Sequence, residues 1–135
     1  MVTKTNSEQQ VAQEIQEIEV LQKYGLRWAV LAAWRDALEL RHVTLPPDAD
    51  RALDRARIKL ASGCFSVCDV GCDLSTVEGA LTSADASSQH NWVDFWLDIL
   101  QHSMSEGGET ERILKIPAVK ARYASCGIKG CSCAS

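Results

Sequence analysis

Apolar side chains at Val11, Ile15, Ile18, Leu21, Trp28, Leu31 and Leu38 mostly stand three or four residues apart among polar neighbours. That repeat is one face of a helix, and it predicts a long first helix over 7–42. Gly25 inside this run costs about 1 kcal/mol relative to alanine and marks either a bend or a close crossing by another helix. Pro46 and Pro47 end the run, because each lacks a donor and pushes the preceding residue toward extended backbone. A second helix opens behind them, with Asp48 and Asp50 in its first turn and Arg55, Arg57 and Lys59 later, the order that the helix dipole favours. Ala49, Leu53, Ala56 and Leu60 form its apolar stripe, Asp48–Arg51 and Asp54–Arg57 can pair at i,i+3, and the basic cluster reads as a solvated face.

Ser75-x-x-Glu78 has the form of a capping box and predicts a short third helix over 75–84, followed by a loop over 83–89. Asn91 can cap a fourth helix whose Trp92, Val93, Phe95, Trp96, Ile99, Leu100 and Met104 are expected in the core, and which ends before Gly107-Gly108. Residues 109–114 and 118–124 are helical in pattern on either side of Pro117, which either kinks one helix or starts another. No alternation of period two extends over strand length. The expected architecture is an all-α, single-domain bundle of about four to five helices over 1–124, with a cysteine-rich tail over 125–135 that folds back on it.

A chain of 135 residues, 46% apolar and 24% charged, is enough for one self-supporting core and short of two. Its net charge of -4 gives no broad positive field for a phosphate backbone, so nucleic acid is not an expected partner. Residues 1–8 are polar and lack the apolar stretch of about 7–15 residues that a secretory signal needs. The most apolar window, Trp28 to Trp34, is far shorter than the roughly 20 residues that cross a bilayer. The expectation is a cytoplasmic protein without membrane contact, and in a reducing cytosol cysteines serve metal binding or redox sensing more than structural disulfides.

Six cysteines form two triplets, Cys64-x3-Cys68-x3-Cys72 and Cys126-x4-Cys131-x-Cys133. On an unbroken helix the first triplet spans about 12 Å of axial rise, too far for one ion. All three can share a mononuclear site only if the helix breaks, and Gly71 offers a place for the break. Two cysteines one turn apart suit chelation of a metal or cluster edge and are poor for an unstrained disulfide. In the tail, Gly127 and Gly130 let backbone amides approach metal-bound sulfur, and Cys131-x-Cys133 can hold one soft metal or adjacent cluster atoms. The six thiols, Cys64, Cys68, Cys72, Cys126, Cys131 and Cys133, are therefore the candidate ligands for an iron–sulfur cluster, zinc or copper(I). The function this implies is electron transfer, metal handling, or service as the accessory subunit of a redox complex. Against it stands the plain alternative that Cys64, Cys68 and Cys72 are small core residues.

Two other readings compete. The triplets can act as a thiol–disulfide sensor in a protein-interaction module, with Trp28, Trp34, Trp92, Phe95 and Trp96 supplying helix faces for a protein partner or a second copy. Arg35-x6-His42 resembles the R-x(4–6)-H pattern of HEPN ribonucleases. That resemblance implies a helical dimer with Arg35 and His42 facing RNA across a shared cleft. Cys131-Ser132-Cys133 is similar to the Cys-Ser-Cys claw of nitrile hydratases, except that Ile128 stands where that motif has a further cysteine.

Overall fold

The computed structural model describes residues 22–62, 66–88, 91–103 and 109–125. These form six helices and no strand: α1 (22–40), α2 (Pro47–Ser62), α3 (Val67–Ala86), α4 (Val93–Ser103), α5 (Glu109–Leu114) and α6 (Pro117–Ser125). The described residues are all-α, as the periodicity predicts, and the segments on either side of Pro117 are two separate helices.

α1 is the centre of the bundle. Every residue from Trp28 to Trp34 is buried, so this stretch has no solvent face and is enclosed all round rather than along one stripe. The indole of Trp28 donates to the Leu53 carbonyl of α2 at 2.9 Å, and the Trp34 ring stacks on Trp96 of α4 with centroids 6.1 Å apart. Gly25 is buried and the helix continues through it. α1 ends at residue 40 rather than 42, in a Schellman motif: Val43 N donates to Leu38 O and His42 N to Glu39 O, both at 2.9 Å. His42 takes the left-handed conformation this cap requires, with φ 63°.

α2 follows its sequence polarity, with Asp48–Arg51 and Asp54–Arg57 paired at i,i+3. The basic cluster is not simply solvated, however. Arg55 and Lys59 both reach Asp73 on α3, at 3.2 and 2.9 Å, and tie the two helices together.

The third helix differs most from its prediction. It starts at Val67 behind an extended Ser66, runs through Gly71 and Ser75 without interruption, and continues to Ala86, so 83–86 is helix rather than loop. Val70, Leu74, Val77 and Leu81, spaced four, three and four apart, form its buried stripe. The Ser75-x-x-Glu78 pattern lies in mid-helix, where it caps nothing.

α4 is capped by two side chains: the Asn91 amide oxygen accepts from Val93 N at 2.9 Å, and Asp85 accepts from Trp92 N at 3.1 Å. Trp96, Ile99 and Leu100 are buried as expected, whereas Trp92 and Phe95 are 53% and 46% exposed and not core residues. Pro117 starts α6, which settles its role as an N-terminal helix residue after the tight turn at Lys115 and Ile116.

Candidate functional site

Cys68 and Cys72 occupy the first two turns of α3, one turn apart on its solvent side, opposite the Val70–Leu74–Val77 stripe. Both thiols are free and exposed. This removes the core-residue reading for these two cysteines. Cys64, Cys126, Cys131 and Cys133 lie outside the described residues, and so does most of the tail over 125–135. Among the described residues no group of three or more histidine, cysteine, aspartate or glutamate side chains converges on a point where an ion would fit.

The expected break at Gly71 does not occur; a Cβ built there would meet nothing within 4 Å, and the helix needs no glycine at that position. The helix is interrupted instead before Cys68, where α2 has ended at Ser62 and Ser66 is extended at φ -82°, ψ 131°. Ser66 makes no side-chain hydrogen bond to the helix start, and the N-terminal end of α3 favours negative charge of the kind a thiolate-bound centre carries.

Arg35 is engaged by carboxylates of α1 and α2. The Arg35 guanidinium donates to Asp50 at 2.7 Å and contacts Glu39 at 3.0 Å and Asp36 at 3.7 Å. The Asp50 hydrogen bond, working against partial desolvation, raises Arg35 above the ordinary arginine value. His42 is exposed and stands beyond the end of α1 in left-handed backbone, so the shared helix face on which the resemblance depends stops short of it.

Two features were not anticipated. Asp85 is 0% exposed, yet its carboxylate accepts from Trp34 Nε1 at 2.7 Å, Trp92 N at 3.1 Å, Ser88 Oγ at 3.3 Å and Arg41 Nη2 at 3.5 Å. One buried charge thus joins α1, the end of α3 and the start of α4. Its sequence signal is a carboxylate four residues after Leu81, on the extension of the α3 apolar stripe. The second is an aromatic ladder from core to surface: Trp34 stacks on Trp96, Phe95 meets Trp96 edge-on at 5.2 Å, and Trp92 meets Phe95 edge-on at 5.9 Å.

A shallow cavity of about 260 Å³ lies between α1, α3 and α4, lined by Arg27, Glu78, Leu97, Leu100 and Gln101. Its charged groups face each other at 3.6 Å, which leaves neither as a dedicated ligand contact. Among the described residues no helix is long and apolar enough to cross a membrane. Comparison with protein-family models, with curated proteins and with solved structures found no match to this chain.

Proposed function

We propose that the chain is a small cytoplasmic metal-binding protein in which at least four of its six cysteines ligate an iron–sulfur centre, zinc or copper(I). The observation that carries this reading is the exposure of Cys68 and Cys72 one turn apart in the first turns of α3. Thiols are among the most buried side chains, and a pair held at the surface is an oxidation liability unless its chemistry is used. The spacing suits one soft ion, and the Cys126–Cys133 tail would complete the coordination. The role is electron transfer, metal handling or service to a larger redox complex.

Anaerobic purification followed by elemental and sulfide analysis and visible absorption tests this. Stoichiometric metal is expected, with occupancy lost in the paired variants Cys68→Ser/Cys72→Ser and Cys131→Ser/Cys133→Ser. Protein that folds but carries no stoichiometric metal or sulfide would refute the proposal. The thiol–disulfide sensor would then take its place if mild oxidation yields specific cysteine pairs.

A second reading, that the chain is a protein-interaction module, is favoured by a separate observation. Trp92 and Phe95 stand exposed and in mutual contact at the start of α4, although large aromatics are normally placed inside.

A further inference from the structure

The exposed aromatic pair is held in place before any partner arrives. Trp92 N is fixed by the buried Asp85 carboxylate, the Trp92 ring rests edge-on against Phe95, and Phe95 rests edge-on against buried Trp96. Side chains ordered in this way lose little freedom on binding, so their surface is available for affinity. Beyond Phe95 the same edge of α4 carries Asp98 and His102, at i+3 and i+7, and exposed Asp94 lies one turn before Asp98. Asp98 faces His102 at 3.5 Å, an ion pair only when the imidazole is protonated, and Asp94 has no ion-pair partner among the described residues. Arg41, which reaches the Asp85 oxygen that also accepts from Trp92 N, is matched by that carboxylate and does not offset Asp94 and Asp98.

We infer that the edge of α4 formed by Trp92, Phe95, Asp94 and Asp98 docks a cationic, lysine- or arginine-bearing segment of a protein partner. The inference rests on the interaction-module reading and names the chemistry of the partner. The cationic groups along such a segment are attracted to the indole and phenyl faces and, further around the helix, to the two carboxylates. A second copy fits less well, because a two-fold contact would set Asp94 and Asp98 against their own counterparts. An anionic lipid surface is opposed by the same charges.

The test uses the full chain and a synthetic lysine–leucine amphipathic peptide about 12 residues long, roughly three helical turns. Glutamine–leucine and glutamate–leucine peptides of the same pattern serve as comparisons. Binding is read by tryptophan fluorescence and calorimetry, and the self-association state by sedimentation. The lysine peptide is expected to bind, with Trp92→Ala and Phe95→Ala each weakening it about tenfold. Asp94→Asn/Asp98→Asn should weaken it about fivefold and flatten its dependence on salt. Ile58→Ala, at an exposed position on α2, should leave it unchanged. Trp92→Ala keeps the main-chain bond to Asp85, so circular dichroism should show an intact fold.

Equal binding of the lysine peptide by all variants overturns the proposal. Trp92-dependent binding of the glutamine peptide, as tight as that of the lysine peptide, overturns the cationic chemistry and leaves the interaction module standing. Self-association abolished by Trp92→Ala overturns it in favour of a second copy. A monomer that binds none of the peptides overturns both the inference and the module on which it rests.

Discussion

A carboxylate cut off from water is stable only if its lone pairs are met, and Asp85 is met by an indole, a main-chain amide, a hydroxyl and a guanidinium from three parts of the bundle. Removing the carboxylate leaves the buried Trp34 N–H and the Trp92 main-chain N–H without their acceptor, so Asp85→Ala should cost about 3–5 kcal/mol. Asp85→Asn keeps one acceptor but turns an amide NH2 toward donors, and should cost about 2–4 kcal/mol. Asp73 provides the comparison: it accepts from two cations, but Arg55 and Lys59 reach solvent and can be rehydrated when it is lost. Asp73→Ala should therefore cost only about 1 kcal/mol. Urea titration of the three variants gives the ranking, and equal losses for Asp73→Ala and Asp85→Ala would contradict the account. The position of Asp85 on the α3 stripe was open to sequence reasoning. Its partners were not, because Trp34 and Arg41 lie 51 and 44 residues away in the chain.

Among the elements, α2 was readable because its acidic start, basic end and i,i+3 pairs are local, and each falls where the helix dipole and spacing require. α3 was not, because three local signals pointed away from a continuous helix: Gly71, the cysteine triplet and a capping-box pattern at Ser75. Tertiary burial of Val70, Leu74, Val77 and Leu81 outweighs all three, at a propensity cost of about 1 kcal/mol per glycine. The exposure of Cys68 and Cys72 was equally hidden, since cysteine is both a frequent core residue and a metal ligand, and composition does not separate the two. The unbroken helix gives a direct check. Nothing lies within 4 Å of a Cβ placed at Gly71 or Gly79, so Gly71→Ala and Gly79→Ala should each stabilise the protein by about 0.5–1 kcal/mol in thermal or urea unfolding. Gly71→Ala should also leave metal occupancy unchanged. A loss of occupancy would mean that the chain turns at Gly71 when the site is filled.

For the molecule as a whole, α1 is the hub and α6 is the last described element fastened to it. The fastening is a two-pronged bond in which Arg122 Nε and Nη2 donate to the two oxygens of Asp36, both at 2.6 Å and across 86 residues of sequence. Asp36 in turn lies 3.7 Å from Arg35, which holds Asp50 of α2, so one charged network spans α1, α2 and α6. The hydrogen bond to Asp36 is the main cause of the raised pKa of Arg122, with partial desolvation opposing it. A raised arginine contributes stability that is fully present below its unfolded value and is lost only as pH rises through the higher folded value. The contribution is therefore constant from neutral to moderately alkaline conditions. Arg122→Gln removes the charge while keeping length, and because both partners are about one-third exposed, solvent screening limits the loss to about 1 kcal/mol. That loss should be the same at about pH 7 and about pH 9. It should also be local, with faster hydrogen exchange confined to α6 while α1 and α3 keep their protection. Since the Cys126–Cys133 segment follows α6 directly, the same variant connects the fold to the proposed centre. If the tail completes a thiolate site at the start of α3, loading the protein with metal should restore slow exchange in α6 of Arg122→Gln, because the ligands then hold what the ion pair no longer does. Exchange in α6 that stays fast in the metal-loaded variant would separate the tail from the α3 thiols.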